Sequence, residues 1–262
     1  MISSSGTSGL ERVSAGGWRS GLSNLMGAAF GSWWRTRMWV IQSLLWTAVI
    51  NGSLAAFIWG DAPDDVTVFT LFGIMTMFAA IAVAILMQEA IVGEKRSGTA
   101  AWVLSKPVSR PAFVLSKLVP NAVGIVVTML AIPSIVFLVQ LAAAGIDFSA
   151  DRFALGASVA ALNLLFYLTL TLMLGTVFDT SAPVIAIPLA FAFGQQLLAG
   201  VPGLASLLPW SLVVPIEGSD VSVVGAIVAG QPLPAPGALV FTGLACVVFT
   251  AVAFWKFART EL

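Results

Sequence analysis

The chain contains no histidine and a single cysteine, Cys246. A Ser-His or Cys-His dyad cannot be built from it, nor can a His-Glu-x-x-His zinc site. One cysteine closes no disulfide within the chain, so cysteine usage leaves the redox compartment unread. Cys246 lies in an apolar run and reads as a small packing residue. Charge is scarce too: 9% of the 262 residues, against about 25% in an average soluble domain. The 12 Lys and Arg balance 12 Asp and Glu. With no basic surplus to release counterions from phosphates, nucleic acid is not an expected partner. Disorder requires the opposite composition.

What is abundant is hydrocarbon, with 59% of residues hydrophobic. A membrane span needs about 20 apolar residues. Six stretches qualify: 39–59, 66–87, 118–144, 153–177, 183–200 and 238–255. The third holds Pro120 and Pro133, which predict a kink. The expected fold class is therefore an all-α polytopic membrane protein with six transmembrane helices.

The basic residues sort to one side of such a bundle. Arg12, Arg19, Arg35 and Arg37 precede the first span. Lys95, Arg96, Lys106, Arg110 and Lys117 lie between spans two and three, and Lys256 and Arg259 follow span six. Only Arg152 falls on the other side, where Asp61, Asp64, Asp65, Asp147, Asp151, Glu217 and Asp220 collect. The positive-inside rule then places both termini in the cytoplasm. Residues 1–20 contain no apolar signal-peptide core and read as a flexible cytoplasmic tail of a single transmembrane domain, 21–262.

Two segments outside the spans carry structure of their own. Leu22, Leu25, Met26, Ala29, Phe30, Trp33 and Trp34 fall on one helical face, which predicts an interfacial helix over 21–37. Between spans five and six, 201–237 has no Lys or Arg and six prolines, Pro202 and Pro209 among them. Its apolar pieces are too short to span and read as re-entrant or interfacial.

No Asp, Glu, Lys or Arg falls at an expected midplane, which disfavours an ion-coupled carrier and an aspartyl intramembrane protease. The polar residues inside the spans are uncharged. Asn51, Asn163, Tyr167, Gln195 and Gln196 bond between helices on the ordinary reading, and line a substrate path on the functional one.

The most informative segment is 88–117, QEAIVGEKRSGTAAWVLSKPVSRPAFVLSK, with seven of the 24 charged residues. Span two continues through Glu89 and Glu94, and Ser97-Gly98 breaks it. Thr99 to Leu104, with Trp102, forms a short apolar helix that Lys106-Pro107 ends. Ser109 is the N-cap of the next helix, with Pro111 in its first turn. Basic loops anchor the inner side of any membrane protein, which accounts for Lys and Arg. It does not account for Glu89, Glu94, Gly98, Thr99 or Pro107.

Glu94, Gly98-Thr99, Leu104-Ser105-Lys106-Pro107-Val108-Ser109-Arg110 and Lys117 together resemble the signature of the type-2 ATP-binding-cassette permeases. The chain is similar to the subgroup that includes the nitrous-oxide reductase maturation permease. The resemblance implies an N-terminal elbow helix, six spans and re-entrant helices before the last one. It implies a non-catalytic efflux permease in the prokaryotic cytoplasmic membrane, paired with a second permease copy or paralogue. The partner would be a separate cytoplasmic ATPase holding ATP and Mg²⁺, since no G-x-x-x-x-G-K-[ST] loop occurs here. By position, Glu89, Glu94, Lys95, Arg96, Lys106 and Arg110 would give polar contacts to that ATPase. Gly98, Thr99, Trp102, Leu104 and Pro107 would complete the coupling segment. The apolar interior favours hydrophobic or amphipathic cargo. A scaffold driven by the same ATPase is the second function class, and an ion-coupled carrier the third.

Overall fold

The computed structural model describes residues 17–60, 64–198, 201 and 203–260. Most of the expected tail, with Arg12, lies outside the described residues, as do Asp61 and Pro202. The elements in chain order are α1 (Leu22–Arg35), α2 (Met38–Gly60), α3 (Asp65–Met87), α4 (Glu89–Arg96), α5 (Thr99–Leu104) and α6 (Arg110–Val126). A π-helical turn (Val127–Ala131) leads into α7 (Ile132–Ala143), followed by α8 (Ala150–Val177) and α9 (Ser181–Leu198). A 3₁₀ turn (Ala205–Leu207), α10 (Trp210–Val213), α11 (Val223–Ala229) and α12 (Pro236–Ala258) complete the chain. No strand occurs among the described residues.

Among the described residues six rods are long and apolar enough to cross a membrane: Met38–Gly60, Asp65–Arg96, Arg110–Ala143, Ala150–Val177, Ser181–Leu198 and Pro236–Ala258. The chain is an all-α polytopic membrane protein. Each expected span falls on one rod, but the second and third rods are longer than their apolar runs. Hydrogen bonding continues where hydropathy stops: Gln88 keeps helical angles (φ −56°, ψ −34°), so α3 runs into α4 almost without interruption.

The rods start where side chains supply what the first turn lacks. Asp64 accepts a bond from the Val66 amide at 2.9 Å. Ser109 does the same for Ala112 at 3.2 Å, with Pro111 in the first turn. In the third rod the helix runs through Pro120, and the irregularity is the π turn just before Pro133. A proline ring collides with the carbonyl four residues back, here that of Met129. The wider turn at 127–131 moves that carbonyl aside.

Helix α8 is the axis of the bundle. Burial covers 61% of its most apolar window, against 17% for α12, so α8 packs on most sides, wholly so over Phe166–Leu172, while α12 turns most of its face outward. Phe153 of α8 meets Phe72 of α3 at 5.1 Å and Phe137 of α7 at 5.7 Å, in a buried aromatic cluster. The short helices α10 and α11 bury Leu212, Val213, Val223 and Val224 against α3 and α8. Neither is long enough to span. Helix α1 is separate from α2, and Leu22, Leu25, Met26, Ala29, Phe30 and Trp33 are half-buried while Ser23, Asn24 and Ser32 are exposed. It lies along α6, where the Trp33 indole covers Gly124 so closely that a Cβ would overlap it. Trp33 also donates to Asn121 Oδ1 at 2.9 Å.

Candidate functional site

The 88–117 segment folds as helix, turn, short helix, turn, helix. Gly98 makes the first turn. Its φ of +73° is a left-handed conformation that any residue with a Cβ adopts only with strain. Ser97 Oγ and Thr99 Oγ1 bond across it at 2.8 Å. Ser105 Oγ donates back to the Trp102 carbonyl at 2.7 Å, and Pro107 then prevents α5 from continuing.

The charged residues of the segment divide into two sets. Lys95 points inward, with its side chain 8% exposed. Its Nζ donates to the carbonyls of Gly175 at 3.5 Å and Phe178 at 3.0 Å, and pairs with Asp179 at 2.6 Å. These carbonyls belong to the C-terminal end of α8. The last carbonyls of a helix lack partners within it and carry the negative end of its dipole, so an ammonium group there satisfies both. The Lys95 ammonium, as hydrogen-bond donor and as charge, holds the Asp179 carboxyl below the usual carboxylate range. Arg110 serves α12 in the same way: its Nη1 donates to Ala258 O at 2.7 Å and Phe257 O at 3.3 Å. Glu94 pairs with Lys117 of α6. Glu89 accepts a bond from Ser181, the first residue of α9. Leu104 is half-buried against the core.

The second set faces away from the bundle. Arg96, Gly98, Thr99, Lys106 and Pro107 are exposed, and Trp102 is 64% exposed. Lys106 Nζ sits 5.3 Å from the Trp102 ring centre, covering the indole with a cation. The segment before α1 braces the same region. Ser20 Oγ donates to the Pro107 carbonyl at 2.5 Å and the Ser109 amide donates to Ser20 O at 3.1 Å. Residues 17–20, the 88–117 segment and the end of α12 therefore share one end of the bundle. Beside the Glu94–Lys117 pair a cleft of about 370 Å³ opens between α1, α4 and α6, lined by Trp33, Glu89, Gly93 and Asn121.

The five polar residues inside the spans do not gather into one path. Asn51 is buried and its Nδ2 donates to the Pro133 carbonyl at 3.1 Å, fastening α2 beside the π turn. Asn163 is buried on α8, with Nδ2 unpartnered among the described residues. Gln195 Nε2 donates to Tyr167 Oη at 2.9 Å, and its Oε1 accepts from the Trp210 amide at 3.0 Å. That tie holds α8, α9 and α10 together. Gln196 is exposed on the outside of α9. Neighbouring residues on a helix point about 100° apart, and on α9, which buries only one side, that turn carries Gln196 outward while Gln195 faces in.

Sequence reasoning placed Lys95 and Arg110 in the segment but missed what they hold. Their acceptors are main-chain carbonyls 80 to 148 residues away, which leave no side-chain pattern to read. A family model described as ABC-2 family transporter protein matches residues 35–262, a range that takes in all six rods and the whole 88–117 segment. No curated protein matches the chain.

Proposed function

Since the chain belongs to the ABC-2 family of transporter proteins, as the membrane permease component of an ABC transporter, we propose how it is driven. A separate cytoplasmic ATPase, holding ATP and Mg²⁺, docks on Arg96, Thr99, Trp102, Lys106 and Pro107 and powers export. This chain performs no chemistry. The basic end of the bundle faces the cytoplasm of a prokaryotic cell, because eleven of the 12 basic residues belong to it on the six-span topology. Two permease chains, identical or paralogous, enclose the path, since one six-helix bundle packed around α8 leaves its axis filled. An apolar interior favours hydrophobic or amphipathic cargo. In the loop motif the chain resembles the subgroup that includes the nitrous-oxide reductase maturation permease.

The observation that carries this reading is the two-sided character of the segment. Its outward face carries an exposed tryptophan with Lys106 over the ring and an exposed Arg96 in the same segment, the composition of an interface anchor. Its inward face grips α6, α8 and α9 by polar contacts, and the start of α6 grips α12. The rod Asp65–Arg96 is about 48 Å long at 1.5 Å per residue, against about 30 Å of hydrocarbon, so it carries a push at its tip into the bundle.

The test is purification of the tagged permease from its native membrane. A P-loop ATPase is expected to co-purify, and its hydrolysis in vesicles to fall when Trp102 is replaced by alanine. A correctly inserted permease that never retains an ATPase defeats the reading. Cargo movement driven by an ion gradient in the absence of ATP would restore the carrier instead.

A further inference from the structure

Two adjoining cavities lie beside α1, at the end of the bundle that carries the 88–117 segment. One is the cleft of about 370 Å³ next to the Glu94–Lys117 pair. The other lies further into the bundle, measures about 240 Å³ and is lined by Gln42, Met38 and Ile125. Ser32, Trp33, Leu86, Met87 and Asn121 line both, so the two run together as one trough. From Lys117 to Ile125 the trough follows α6 for about 12 Å. Its charged groups, Glu89, Glu94 and Lys117, all line the cleft, and the inner cavity has none among the described residues. Met38 and Leu86, both exposed, open the inner cavity sideways on two spanning helices.

Much of the polar wall is engaged. Trp33 donates to Asn121, Asn121 Nδ2 donates to the Lys117 carbonyl at 2.6 Å, and the Lys117 ammonium pairs with Glu94. Gln42 and Glu89 each keep an atom in hand. Gln42 is only 9% exposed, and its Oε1 faces Trp46 Nε1, a group that only donates, at 3.2 Å. No described residue accepts from the Gln42 amide nitrogen, which is left to the cavity the residue lines. The buried amides of Asn51 and Gln195 spend their nitrogens within the protein. A buried donor without an acceptor is costly, and native structures satisfy such groups or use them. One Glu89 oxygen accepts from Ser181. The other lies over Gly93, where a Cβ would come within 3.0 Å of it, and has no donor among the described residues.

We propose that the trough binds an amphipathic monocation drawn from the membrane. Its cationic head sits at Glu89, an acceptor on its body takes the Gln42 Nε2 proton, and its apolar part lies between Trp33, Met87 and Ile125. Charge selects the head. Two carboxylates face one ammonium, and Glu94 already holds that ammonium. A carboxylate or phosphate head would meet a repelling oxygen at Glu89 with no cation to answer it. The side opening selects an apolar body, because the medium beside spanning helices is lipid. Methionine, unbranched and polarizable, suits a body of varied shape. A cavity of about 150 Å³ admits benzene, so the inner one has room for a larger ring system. The proposal stands apart from how the permease is driven.

The experiment uses the full permease in phosphatidylcholine nanodiscs. The probe is a benzophenone joined by a short alkyl chain to trimethylammonium, whose ketone is both acceptor and photoreactive group. After irradiation, label is expected on Met38 and Met87 above the level on the outward residues Leu44 and Leu45 of α2. An excess of the same cation with an unreactive amide in place of the ketone is expected to remove it. The sulfonate analogue of the probe is expected to label these methionines about fivefold less. Gln42→Leu removes the donor and is expected to lower the cation's label about fivefold. Glu89→Gln keeps an acceptor for Ser181, removes the charge and is expected to lower it about threefold, with the sulfonate's label no lower. Glu89 is exposed, so its variant reads the head even where Gln42→Leu, which also deprives Trp46 of its acceptor, disturbs α2. Three results would overturn the proposal: equal label by cation and sulfonate, equal label in wild type and both variants, or label that the amide analogue leaves in place.

Discussion

The two faces of the 89–110 segment share one stretch of sequence and similar charge, yet they do different work. Lys95, Glu94 and Arg110 are turned inward and spent on contacts within the chain. Arg96, Trp102 and Lys106 are turned outward, with the Lys106 ammonium over the Trp102 ring. The difference teaches that charge in a basic loop is not one property. A cation at the end of another helix is a fastening, and a cation beside an exposed indole is a surface. The inward set should govern whether the bundle holds together, and the outward set whether a partner binds.

The sharpest way to break this division is Trp102→Ala. It should weaken binding of the ATPase by about 2 kcal/mol, roughly 30-fold in Kd, with the melting temperature of the isolated permease unchanged. A large drop in melting temperature would show that Trp102 belongs to the inward set. Next comes Lys95→Met, which leaves the carbonyls at the end of α8 without their donor. A stability loss of about 1–2 kcal/mol is expected in detergent unfolding, with partner affinity kept once the protein is folded. The reverse pattern would erase the distinction. Gly98→Ala tests the joint between the faces. A methyl group forced into the left-handed region should cost about 1 kcal/mol, since space around Gly98 is open and only the backbone resists. Limited proteolysis at 97–99 would report it.

The smallest effect concerns Asp179, whose carboxyl the Lys95 ammonium holds below its usual range. A carboxyl lowered in the folded state stabilises above its unfolded value, near 3.9, and loses that contribution as pH falls through the folded one. Wild type should therefore melt above Asp179→Asn at pH 6, and the gap should close below about pH 4. A gap that persists in acid would show that the contact is not charge-driven. Because Asp179 is 83% exposed, the gap is modest.

Much of this arrangement was legible in the sequence. Six apolar runs marked six rods, Ser109-Arg110-Pro111 marked the start of α6, and the spacing from Leu22 to Trp33 marked α1 as a separate amphipathic helix. What stayed hidden depended on distant main-chain acceptors. Nothing in the spacing around Lys95 names Phe178, and nothing near Gln195 names the Trp210 amide. The extension of the second rod through Glu89 and Glu94 and the start of the third at the Ser109 cap were legible in the loop, although the apolar runs alone stop short of both. Hydropathy marks where a helix is greasy, whereas hydrogen bonding continues through Glu89 to Arg96 regardless of polarity. Gln196 shows the converse: helical geometry alone separates it from Gln195.

The π turn at Val127–Ala131 has a consequence for editing the gene. Such a turn is an α-helix with one residue to spare. Deleting a single residue there would keep Phe113 facing Phe257 on one side and Phe137 facing Phe72 on the other, but would press the preceding turn's carbonyl back against the Pro133 ring. The same deletion in the middle of α8 would rotate every later residue by about 100° and pull Lys95 from its carbonyls. The third rod would thus keep its register across a lost codon, at the cost of the proline clash and of the buried packing of Thr128, Met129 and Leu130.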